Sequence, residues 1–255
     1  MEDIILQNYT LKYNPEDPND IFSIPDRNIK YKCSPYNRSK GFDYIHKIVL
    51  RTRNHPEFLS ILKEYLVAFP SKINMQNKKG WTALHLACTN SNRDSTERTV
   101  ELLLEYSNLN VNLRNKYGHT ALYLSCLYCD EISTKRTAGI LLRHRYHTID
   151  VNAQDCSGQT ALTFACCYLN KDALELLLAH PTIDINLPSK YGLTTLHMAC
   201  ENNRITVIKM LLTHSSINVN LQDDFGETAL HSACRRNNID AVKIFLVMNI
   251  YDVLH

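Results

Sequence analysis

Glycine is scarce in this chain, with seven among 255 residues. No Gly-x-Gly-x-x-Gly, no phosphate-cradling Gly-x-x-x-x-Gly-Lys loop, no Gly-x-Ser-x-Gly elbow and no His-Glu-x-x-His pair occurs. Nucleotide-binding, hydrolase and zinc-protease readings therefore have no motif to rest on. An excess of one charge is missing too. Lys and Arg number 28 against 26 Asp and Glu, a net of +2. That balance excludes a charged tail protein and offers no general nucleic-acid surface. Long apolar runs are also absent: Leu102-Leu103-Leu104 is typical, against the ~20 residues that cross a bilayer. The opening Met1-Glu2-Asp3-Ile4-Ile5-Leu6 has neither the basic nor the apolar stretch of a secretory signal. A soluble, cytoplasmic protein is expected, with no membrane or nucleic-acid partner.

Cysteine, by contrast, is plentiful and ordered. Five of the nine stand at 88, 126, 166, 200 and 234, a spacing of 34 to 40 residues that marks a repeat rather than a disulfide framework. Each closes a similar segment, from Gly80-Trp-Thr-Ala-Leu-His-Leu-Ala-Cys88 through Gly118-His-Thr-Ala-Leu-Tyr-Leu-Ser-Cys126, Gly158-Gln-Thr-Ala-Leu-Thr-Phe-Ala-Cys166 and Gly192-Leu-Thr-Thr-Leu-His-Met-Ala-Cys200 to Gly226-Glu-Thr-Ala-Leu-His-Ser-Ala-Cys234. A β-branched residue followed by Asn precedes every copy, as in Ile73-Asn and Val111-Asn, and an apolar run such as Leu174–Leu178 follows.

The chemistry of the unit is readable. Five of the seven glycines open the segment, where a tight hairpin needs a residue with positive φ. Three residues earlier stand Asn77, Asn115, Asp155, Ser189 and Asp223, short side chains able to bond nearby backbone N–H groups. Thr82, Thr120, Thr160, Thr194 and Thr228 are placed as helix N-caps. Leu84, Ala87 and Cys88 show the i, i+3, i+4 spacing of one buried helical face. Each unit reads as turn, short helix, loop, short helix, and it buries its apolar faces only by stacking.

These segments resemble the ankyrin-repeat family and its Asp-x-x-Gly-x-Thr-Pro-Leu-His-x-Ala signature. The divergent, Asn- and Tyr-rich copies are similar to those of large DNA viruses and intracellular microbes. The resemblance implies an all-α solenoid of paired antiparallel helices with hairpin tips, about five full repeats with signatures at 80–88, 118–126, 158–166, 192–200 and 226–234. On this reading residues 1–40 are an extension, 41–72 form a degenerate N-terminal capping repeat, and 73–255 hold the repeats and a C-terminal cap. Departures are clear. The family's Pro becomes Ala83, Ala121, Ala161, Thr195 and Ala229, and Tyr123 and Thr163 replace its His. Extra residues around 90–97, 129–134 and 144–148 lengthen the first two repeats.

The recurrent His85, His197 and His231 stand three residues after the capping Thr, so each is read as a helix-start hydrogen-bond partner rather than a general base or ligand. The recurrent cysteines are read as small buried residues and free thiols. Stacked units lie ~10 Å apart, beyond the ~7 Å that a disulfide tolerates, and a reducing compartment follows. Cys126-x-x-Cys129 lacks the second pair that a zinc site needs. No catalytic residue, metal site or cofactor is assigned, and the protein is expected not to be an enzyme.

What the resemblance implies about a site is a concave face made of hairpin tips and inner helices. Carried onto this chain, it comprises Lys78, Lys79, Trp81, Lys116, Tyr117, His119, Tyr128, Tyr168, Lys190, Tyr191, Phe225 and Arg235. Interface cores favour Trp, Tyr and Arg. The tips are basic in three repeats and acidic in the last, which suits a protein segment acidic at one end and apolar in the middle. The leading expectation is a non-enzymatic protein-interaction module, monomeric and engaging host proteins. An alternative is an assembly protein that self-associates through the apolar end containing Val247, Ile250 and Val253, and a remote one is a metal-binding protein or enzyme. For residues 1–40, Ile21, Phe22 and Ile24 favour partial docking of an arm over a free recruiting peptide.

Overall fold

The computed structural model describes residues 44–52, 56–89, 94–127, 133–144 and 147–253. Among these the chain forms twelve α-helices and no strand. The 1–40 extension, Tyr128 and much of the lengthened loops lie outside the described residues. Helices alternate between two layers. The inner layer holds α1 (Tyr44–Thr52), α3 (Ala83–Thr89), α5 (Ala121–Leu127), α7 (Ala161–Cys167), α9 (Thr195–Glu201) and α11 (Ala229–Arg235). The outer layer holds α2 (Phe58–Ala68), α4 (Asp94–Leu104), α6 (Ser133–Arg143), α8 (Lys171–Leu178), α10 (Ile205–Leu212) and α12 (Ile239–Val253). Every inner helix packs on the next inner helix and on its own outer partner. The result is the all-α solenoid expected from the repeats.

Helices of seven residues have almost no stability alone, because nucleation costs more than two turns return. Stacking supplies it. Leu84, Ala87 and Cys88 of α3 are buried, as are Leu162, Ala165 and Cys166 of α7 and Leu196, Ala199 and Cys200 of α9. One apolar cluster runs from Ile45 to Phe245 without a break. Each fully buried leucine contributes about 1.5–3 kcal/mol, so a single copy cannot stand by itself.

The turns form as their residues require. The Asn77 carboxamide oxygen accepts from the N–H groups of Lys79 and Trp81 at 2.9 and 3.0 Å. Asn115, Asp155 and Asp223 repeat this arrangement. Successive tips are joined by backbone bonds: Lys116 N–H donates to Lys79 at 3.0 Å, Cys156 to Tyr117 at 2.9 Å, Lys190 to Ser157 at 3.0 Å and Asp224 to Tyr191 at 3.2 Å. The tips therefore form one rigid row.

That contact makes two glycines unequal. Gly192 and Gly226 have φ of 73° and 75°. A Cβ on Gly192 would stand 2.7 Å from the Asp224 nitrogen, whereas one on Gly226 meets nothing within 4 Å. Gly226→Ala should cost only the left-handed backbone strain, about 1–2 kcal/mol. Gly192→Ala should cost clearly more, because the next hairpin must also move. Urea denaturation of the two variants checks this, and equal losses would contradict the tip-to-tip packing.

Candidate functional site

A polar ladder sets the site's frame. At the start of α9, Thr194 and His197 form a reciprocal cap, with the Thr194 N–H donating to His197 Nδ1 at 3.2 Å. The pair Thr82 and His85 does the same at 3.1 Å. Because Nδ1 accepts, Nε2 carries the proton and donates across the repeat boundary. His85 reaches the His119 carbonyl at 2.9 Å and His197 the Glu227 carbonyl at 3.1 Å. The expected cap is therefore also an inter-repeat bond.

The two departures at this position keep the function by other chemistry. Tyr123 donates its hydroxyl to Asp155 Oδ2 of the next hairpin at 2.8 Å. Thr163 and Thr195 share a hydroxyl–hydroxyl bond at 3.0 Å. His46, which the sequence reading did not single out, extends the series by bonding the Trp81 carbonyl at 2.8 Å. A signal for it exists, since Gly41 precedes His46 by the same interval that separates Gly80 from His85. A second ladder was equally unassigned. Asn74, Asn112, Asn152 and Asn186 each donate to a carbonyl of the following repeat, and each accepts a backbone N–H from it, all within 2.6–2.9 Å.

The recurrent thiols belong to this architecture. Four of the five recurrent thiols, Cys88, Cys126, Cys166 and Cys200, are buried and form no disulfide. Cys234, expected to be buried like them, is exposed on the last described inner helix, where no further repeat covers it, and Cys156 is exposed on its tip. Burial pushes the Cys88 and Cys166 thiols far up, and that of Cys200 to about 12. Among the described residues no three His, Cys, Asp or Glu side chains come together as metal ligands would.

The expected partner-facing residues separate into groups. Tyr117, Tyr191 and Phe225, each just before its glycine, are 51 %, 65 % and 82 % exposed. Lys78, Lys116 and Lys190 are exposed beside them, and Lys79 is half-buried. Trp81 departs from the expected exposed rim: it is 5 % exposed, with its ring edge-on to His85. The reason is local. Trp81 follows the glycine, and its N–H and C=O both bond back to Asn77, so it closes the base of the hairpin instead of crowning it.

His119 and Tyr168 are half-buried members of an aromatic chain. Tyr117 lies 5.7 Å from His119, which stacks on Tyr123 at 4.3 Å, and Phe164 then links Tyr123 to Tyr168. Burial holds the His119 imidazole below its ordinary pKa, and the nearby Asp155 carboxylate only partly offsets that. Arg235 is exposed but already neutralised, lying 2.9 Å from Glu201 and 3.2 Å from Glu227, with Arg236 adding a contact to Glu201 at 3.7 Å.

The family model described as "Ankyrin repeats (3 copies)" matches residues 50–137, 100–189, 133–223 and 183–253. The chain belongs to the ankyrin-repeat family. A putative ankyrin repeat protein of Acanthamoeba polyphaga mimivirus is 33% identical over 78 residues, covering 30% of this chain and 9% of that protein. A second from the same virus is 34% identical over 74 residues, 28% of this chain and 12% of that protein. This chain thus spans only about a tenth of the length of these relatives. The crystal structure of the ankyrin repeat protein EF0377 superposes with a TM-score of 0.66 at 20% identity, over 80% of this chain and 98% of that one. That likeness speaks to the ankyrin fold alone.

Within the ankyrin stack His85 has a further consequence. Burial holds its imidazole well below the ordinary 6.5, at about 4. Protonation would set an Nδ1–H against the Thr82 N–H that now donates to it. A depressed histidine pKa stabilises the fold above the unfolded value, and the contribution disappears as pH falls from about 6.5 to about 4. The stability advantage of wild type over His85→Gln should shrink by roughly 3 kcal/mol across that window. Urea titrations at several pH values check this, and a gap that stays constant with pH would overturn it.

Proposed function

We propose that the protein is a non-enzymatic scaffold that binds a partner protein, one of a host cell, through its hairpin tips and inner helices. Ankyrin repeats are generally protein–protein interaction modules, and the mimivirus relatives support the host assignment. The observation that carries the reading is the row of exposed Tyr117, Tyr191 and Phe225, held rigid by tip-to-tip backbone bonds. Large rings facing water gain nothing for the fold, whereas binding interfaces concentrate their energy in such residues. The buried free thiols accord with a reducing, cytoplasmic setting. No helix among the described residues is long and apolar enough to cross a membrane.

A Tyr117→Ala/Tyr191→Ala/Phe225→Ala variant should lose proteins that the wild type captures from an amoebal lysate. Its far-UV circular dichroism and Tm should stay near wild type, because none of the three rings is buried. Trp81 is unsuitable for this test, since removing a core indole would cost about 3–5 kcal/mol of stability. Capture that survives the triple variant would place binding elsewhere.

One observation favours a second reading, self-association: Leu246 and Val247 stand exposed on α12. Sedimentation at several concentrations separates the two. A constant monomer mass is expected, and a mass that rises with concentration would favour assembly.

A further inference from the structure

Beyond the general binding role, the tips point to the chemistry of what they bind. We propose that Lys116-Tyr117 and Lys190-Tyr191 form a two-point clamp for an extended acidic segment of a partner protein, with an acidic and an apolar side chain meeting each point. This deepens the protein-binding reading and rests on it.

The same dipeptide crowns two tips, separated by one in which Cys156 and Ser157 carry no charge. Both lysines are exposed, and neither pairs with a carboxylate among the described residues. Two hairpin acids, Asp155 and Asp223, are committed elsewhere, whereas Asp224 on the last tip is exposed, its N–H bonded to the Tyr191 carbonyl. Asp155 Oδ1 accepts two backbone N–H groups and its Oδ2 accepts from Tyr123, while Asp223 Oδ1 likewise holds its own turn. The far end of the face differs, because Arg235 and Arg236 are neutralised by Glu201 and Glu227. Positive charge with no ion-pair partner among the described residues thus stands beside an exposed phenol ring at two tips, 116–117 and 190–191, while Lys78 and Lys79 add charge with no such ring.

The spacing is fixed by the backbone bonds that run from Tyr117 through Cys156 and Ser157 to Lys190. Two repeats at ~10 Å each place the pairs about 20 Å apart. An extended chain rising ~3.3 Å per residue covers that distance in about six residues. A single-stranded nucleic acid fits poorly, since it carries a phosphate at every nucleotide and the middle tip offers no cation.

The test uses fluorescein-labelled peptides of about fourteen residues with two Asp-Leu pairs about six residues apart, read by fluorescence anisotropy. Controls move the pairs to half that spacing, replace Asp by Asn, or substitute an oligothymidylate. The widely spaced acidic peptide should bind at least about tenfold more tightly than each control. Lys116→Gln/Lys190→Gln should lose about tenfold in that affinity with an unchanged Tm, and added salt should weaken binding.

No binding, equal affinity at both spacings, indifference to the lysine substitution, or preference for the oligothymidylate would each overturn the clamp. If the clamp fails while the triple aromatic variant still loses lysate capture, the general binding face stands without it. If capture also persists in that variant, the face itself is wrong.

Discussion

Every copy in this solenoid ends in backbone groups that only its neighbour can satisfy, and the neutral imidazole of the Thr–His cap is the tightest expression of that constraint. Its Nδ1 is occupied by the N–H of its own cap, which leaves the proton on Nε2 facing a carbonyl of the next hairpin. One side chain thereby starts a helix and sets the register of the following repeat. An unsatisfied buried carbonyl costs about as much as a lost hydrogen bond, so a slip between copies is penalised at each boundary. The asparagine series imposes the same register near the entrance to each hairpin.

The substitutions within the ladder show what is constrained and what is not. Tyr123 abandons the carbonyl and reaches the Asp155 carboxylate, while Thr163 needs a matching hydroxyl at Thr195. Thr195 is the single copy in which the residue after the cap is not alanine. Thr163 and Thr195 are therefore complementary changes across one interface. What must persist is a hydrogen bond from each copy to the next, not an imidazole.

The fold was legible because turn, cap and apolar positions recur in phase, and each has a local physical cause. The site was legible less evenly. Position relative to the glycine decides exposure: Tyr117, Tyr191 and Phe225 precede it and point to water, whereas Trp81 follows it and closes the hairpin. Composition alone treats those aromatics alike. The asparagine ladder was visible as a landmark, but its partners lie 30 to 38 residues away, a relation that only the stacking reveals. His46 was hidden because its repeat keeps the glycine and the histidine but lacks the Thr-Ala-Leu between them.

The division of labour follows from the ladders. Side chains that point along the stack are consumed by the neighbouring repeat, which fixes their identity and removes them from chemistry. Side chains at the tips are displaced from that axis, and successive tips are joined chiefly by backbone bonds, with the Cys156 thiol adding one to the Lys116 carbonyl. Lys116, Tyr117, Lys190 and Tyr191 are thus free to vary without loosening the stack, while the stack holds them at fixed intervals. A surface whose spacing is set by backbone and whose chemistry is set by unconstrained side chains can change that chemistry without refolding.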